Sequence, residues 1–160
     1  QIASGDKRSA AHTLTEYKKA GGENPAALKK LASLETDLGD TRDAAATLDA
    51  LNFIYPEDEA MHRELGGLWL AQGNAAGAVR EYDAVLALSP LDRASAEFDI
   101  AKAYMAEGDR AKAEDSVLAS LEVAPGYKPA QQLLLEIEAA KSAKPGSAKP
   151  GDVTNTPKTN

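Results

Sequence analysis

"AMHRELGGLWLAQGNAAGAVREYDAVLALSP", residues 60–90, holds one complete unit of the fold. Leu65, Leu68 and Trp69 recur at i, i+3 and i+4, the spacing of one helix face. Gly73 closes that helix, because glycine enters the left-handed cap conformation without a steric penalty. Asn74 offers its side-chain oxygen to the free N–H groups of a second helix, and Pro90 stops it. The stretch therefore predicts two helices joined by a short turn.

The same unit recurs along the chain. Gly5, Gly39, Gly73 and Gly108 are spaced by 34, 34 and 35 residues. Five positions after each glycine stands Ala10, Ala44, Ala78 or Ala113, and nine after it Leu14, Leu48, Tyr82 or Val117. Seventeen after it comes a terminator, Gly22, Pro56, Pro90 or Pro125. Eight before the later glycines are Leu31, Leu65 and Ile100, and seven before are Ala32, Gly66 and Ala101. A fixed period of this length is the signature of stacked helical units. The small residues predict where paired backbones come closest, with Trp69, Tyr82 and Tyr104 filling the gaps alongside. Asp40 and Asp109 are expected to cap as Asn74 does, and Asn24-Pro25 is a further start signal.

These residues resemble the tetratricopeptide repeat, a 34-residue helix–turn–helix unit. The middle unit carries Leu65-Gly66, Trp69, Gly73, Ala78, Tyr82, Val85 and Pro90, and the third Ile100-Ala101, Tyr104, Gly108, Ala113, Val117 and Pro125. The first full unit departs from the pattern, with Glu35 where an aromatic is expected and Asn52 at an apolar position. The resemblance implies an all-α fold: a right-handed superhelix of antiparallel helix pairs whose first helices line a concave groove. The expected divisions are a second helix of a preceding repeat at 1–23, repeats at 24–56, 57–92 and 93–127, a solvating helix at 128–141 and a flexible tail at 142–160. Gly5 opens a second helix with no first helix before it. That phase suggests the C-terminal part of a larger protein.

Composition narrows the function. Hydrophobic residues make up 43% of the 160 but aromatics only 5%, so the core must be built largely from small side chains. The net charge of −7 argues against nucleic acid, where phosphate neutralisation needs a basic face. No apolar run reaches the roughly 18 residues of a membrane span. The chain has no cysteine and two histidines, His12 and His62, on separate helices. With no HExxH, cysteine cluster or regular Asp-x-Asp-x-Asp loop, no catalytic, cofactor or metal site is expected. His62 is read as a partly buried helix residue and His12 as facing solvent. Gly66-Gly67 is read as close packing, since it follows no strand.

The concave positions implied by the resemblance are Lys29, Ser33, Thr36 and Asp37 in the first pair, and Arg63, Gly67, Leu70 and Ala71 in the second. The third gives Ser95, Phe98, Lys102, Met105 and Ala106. Among them Lys29, Ser33, Arg63, Leu70, Phe98, Lys102 and Met105 form the candidate peptide-binding groove. Basic groups beside apolar ones suit a protein or peptide segment with acidic and apolar residues. The opposing reading is that the three cations balance nearby acids and that Phe98 is core. The asparagines that clamp chaperone C-termini in this family are missing from these positions, so that activity is not implied. Two rivals to a binding module remain: an accessory domain of a larger enzyme, for example a bacterial peptidase, and self-assembly through the face of residues 5–17.

Overall fold

The computed structural model describes residues 4–142, and among these every regular element is a helix. Eight follow one another: α1 (Ser4–Lys19), α2 (Pro25–Leu38), α3 (Thr41–Ile54), α4 (Glu59–Ala71), α5 (Ala75–Ala87), α6 (Arg93–Glu107), α7 (Arg110–Val123) and α8 (Lys128–Ser142). The tail expected over 142–160 lies outside the described residues, except that Ser142 ends α8. Backbone contacts are densest between consecutive helices, so the hairpins stack in sequential order.

Local chemistry sets the helix limits. Gly39, Gly73 and Gly108 hold φ of 84°, 77° and 89°, a region that costs a residue with a Cβ. Asn24, Asp58, Asn74, Asp92 and Asp109 each accept a hydrogen bond from a backbone N–H three residues on. Two expectations are corrected here. Asp40 makes no side-chain cap bond. Gly5 lies inside α1 and does not mark its start, and its backbone is not left-handed.

The small positions lie where the hairpins close. Ala32, Ala44, Ala78, Ala101 and Ala113 are fully buried. At Gly66 an added Cβ would fall 2.7 Å from the Tyr82 ring, so glycine admits the tyrosine that fills this junction. Trp69 packs against the clusters on both sides of α4.

The irregular first unit is bonded where the repeat pattern predicted weak packing. Glu35 is buried and accepts from the Thr47 hydroxyl at 2.9 Å, and Lys18 donates to the same hydroxyl at 3.0 Å. Burial raises the Glu35 carboxyl above its usual range, partly offset by the Thr47 bond. Asn52 donates to Glu81 Oε2 at 3.0 Å. His62 is buried more deeply than expected, with both ring nitrogens facing oxygen: Nε2 lies 2.9 Å from the Pro56 carbonyl and Nδ1 2.9 Å from Glu81 Oε2. Arg80 covers the other Glu81 oxygen from Nε at 3.0 Å. One buried carboxylate thus ties α3, α4 and α5 together.

The ends differ from the middle. Ala10 is exposed and Leu14 half-buried, and Tyr17 is 39% exposed, whereas their counterparts Ala44, Leu48 and Leu51 are buried against α2. At the other end α8 buries Ala130 and Ile137 while Leu135 stays 71% exposed. Leu135 falls one residue past the Leu31, Leu65 and Ile100 register, where inner units place Ala32, Gly66 and Ala101.

Candidate peptide-binding face

The residues proposed for the groove come from α2, α4 and α6, and each proposed cation has an acidic partner. Lys29 pairs with Asp58, the cap residue of α4. That ammonium and the Met61 N–H hold the Asp58 carboxyl below the usual carboxylate range. Arg63 Nη1 donates to Asp99 at 2.9 Å and its Nε to Glu59 at 3.0 Å. Lys102 reaches the other Asp99 oxygen at 2.8 Å. The acids were not part of the sequence-level site. Their signal is spacing: Asp58 and Asp99 follow Lys29 and Arg63 by 29 and 36 residues, close to one repeat.

Arg63, Phe98 and Lys102 form one connected group. The Lys102 ammonium lies 5.1 Å from the centre of the Phe98 ring, and that ring meets Tyr127 edge-on at 5.6 Å. Met105 is half-buried and packs with Phe98 against the core of α6, α7 and α8. Leu70, also half-buried, belongs to the neighbouring cluster around Ala78 and Tyr82. Ser33 is exposed on α2, apart from this group. Gly67 and Ala71 on α4 and Ala106 on α6 are small and exposed.

Tyr82 touches the same place from behind. Its hydroxyl lies 3.9 Å from where a Cβ on Gly67 would stand. Burial, reinforced by the Asp99 charge, pushes the phenol up to about 12, with Arg63 acting weakly the other way. The sign follows directly. The raised value contributes stability that is complete below the unfolded tyrosine range near 10 and is lost as pH climbs through about 12. A spectrophotometric titration should show a late tyrosine step that Tyr82→Phe removes. A titration curve left unchanged at its alkaline end by Tyr82→Phe would contradict this placement.

Among the described residues no group of three His, Asp or Glu side chains could hold a metal ion, and no helix is long and apolar enough to cross a membrane.

The stacked antiparallel pairs, with small residues at each crossing, define a fold of the tetratricopeptide-repeat type. No family model matches the sequence, and no curated protein matches it. Solved structures do. MamA from Desulfovibrio magneticus RS-1 is 21% identical, with a TM-score of 0.72 over 86% of this chain and 77% of that one. The first TPR of Spaghetti (RPAP3), bound to the HSP90 peptide SRMEEVD, gives 0.64 at 17% identity over 74% and 94% of the two chains. The Yersinia enterocolitica type III secretion chaperone SycD, in complex with a peptide of the translocator YopD, gives 0.63 at 21% identity over 71% and 92%. At these identities the likeness establishes the fold.

Proposed function

We propose that this chain is a protein-interaction module whose first helices hold a peptide or protein segment in a concave groove, with the superhelical curvature the resemblance implies. The observation that carries the reading is the Arg63–Asp99–Lys102–Phe98 group with the small, exposed Gly67, Ala71 and Ala106. Small residues let a backbone approach, Phe98 and Met105 offer apolar contact, and the guanidinium is pre-oriented by its two carboxylates. An acidic ligand group would exchange with Asp99 or Glu59 for Arg63, so specificity rests on replacing one ion pair with another. That two structural neighbours were solved with peptides supports the reading.

The test is a pull-down with the wild type and an Arg63→Glu/Lys102→Glu variant of unchanged helicity. A bound protein lost from the variant alone supports the groove, and full retention of every bound protein removes it.

The exposure of Ala10 favours one addition. Its counterparts all sit under a first-type helix, which supports a longer array in which such a helix covers Ala10, Leu14 and Tyr17. The competing occupant of that face is a second copy. Light scattering across concentration separates them, since a strict monomer excludes self-pairing.

A further inference from the structure

The turn between α3 and α4 carries apolar side chains that the repeat does not require. Phe53 is 92% exposed, and Ile54 and Tyr55 beside it are 38% and 42% exposed. Counted from the unit glycines, the Phe53 position is otherwise Lys19, Ala87 and Glu122. Leu91, fully exposed, follows its terminator where the other units have Glu23, Glu57 and Gly126. Because the helices alternate in direction, the α3–α4 and α5–α6 turns fall at the same end of neighbouring hairpins. Scaffold packing explains neither Phe53 nor Leu91, and in an aromatic-poor chain their exposure carries a solvation cost without a folding return.

The surroundings supply acceptors and negative charge. Two clefts flank the turn, one of about 640 Å³ behind Ile54 and Tyr55, and one of about 560 Å³ between Phe53 and Ala84. Glu57 lines the first and Asp49 the second, and neither pairs with a cation among the described residues. Asn52 Oδ1, in the second cleft, is buried without a hydrogen-bond partner. The nearby cations are committed: Arg80 to Glu81, Lys29 to Asp58, and Arg63 to Glu59 and Asp99.

We propose that this turn, extended by Leu91, is a second docking surface, adjoining the groove where Asp58 and Glu59 line the first cleft, for a partner-protein segment that combines basic and apolar residues. Charge decides the occupant. A second copy would bring Asp49 and Glu57 against their own kind, and an anionic lipid surface would meet the same repulsion. A lysine or arginine segment instead satisfies the two carboxylates, while Phe53 and Leu91 supply the apolar anchors.

The experiment selects binders from a random 16-residue peptide display library against the full chain, then measures each against two variants. Phe53→Ser/Leu91→Ser changes exposed residues only and should keep the wild-type melting curve. Supporting peptides are rich in Lys or Arg with Leu, Phe or Trp, and bind about tenfold or more weakly to Phe53→Ser/Leu91→Ser. They also weaken as salt is raised and are indifferent to Arg63→Glu/Lys102→Glu. Recovered peptides that depend only on the groove variant leave the groove standing and overturn this surface. Recovery of no peptide sensitive to Phe53 and Leu91 overturns it as well. Wild-type dimers in sedimentation that the Phe53→Ser/Leu91→Ser variant dissolves would assign the turn to a second copy, against the proposal.

Discussion

Glu81→Ala is expected to destabilise the domain by about 3–5 kcal/mol, lowering Tm by roughly 10 °C or more. The carboxylate is 2% exposed and takes the Arg80 guanidinium on one oxygen and Asn52 and His62 on the other. Truncation leaves the buried His62 Nδ1 and the Asn52 amide without their partner, with only the Pro56 carbonyl remaining to His62, and also opens a cavity. Breaking one side of such a network costs more than the network contributes, because the surviving polar groups keep their desolvation penalty. A His62→Phe/Glu81→Leu double variant should therefore recover part of the loss. Chemical denaturation gives both numbers. A Glu81→Ala loss below about 1 kcal/mol would mean that the carboxylate is not held as described.

Ala78→Leu is the second large effect. Ala78 is fully buried between α4 and α6, packed with Tyr82, Ile100 and Ala103. Extra carbons there must push the backbones apart, at about 1–3 kcal/mol or more. Two controls fix the meaning. Ala87 is exposed near the end of the same helix, and Ala10 is the exposed counterpart of Ala78 on α1. Ala87→Leu and Ala10→Leu should both stay within about 0.5 kcal/mol. Equal losses at all three positions would reject the packing register.

The fold was legible because its determinants are local and periodic. Gly39, Gly73 and Gly108 each force a left-handed residue, and alanines at a constant offset fix the crossing of each pair. Position Gly5 misled because a glycine within a helix looks the same in sequence as one that ends a turn. The polar interior was not legible. A lone Glu35 or Glu81 on an amphipathic helix reads as surface, and apart from the adjacent Arg80 the partners stand 12 to 29 residues away on other helices. The groove was half legible. The family resemblance implied Lys29, Arg63 and Lys102, but the acids of Lys29 and Arg63, Asp58 and Asp99, lie near one period downstream, a relation visible only when cations and anions are aligned together.

The concentration of backbone contacts between consecutive helices bears on how the chain acquires its shape. No hairpin waits for a strand or helix synthesised much later, so each can settle onto its predecessor as it leaves the ribosome, and folding can keep pace with translation. The slow step is then never the search for a distant partner. Growth of the stack resembles laying courses of brick, and an interruption leaves a shorter wall rather than a ruin.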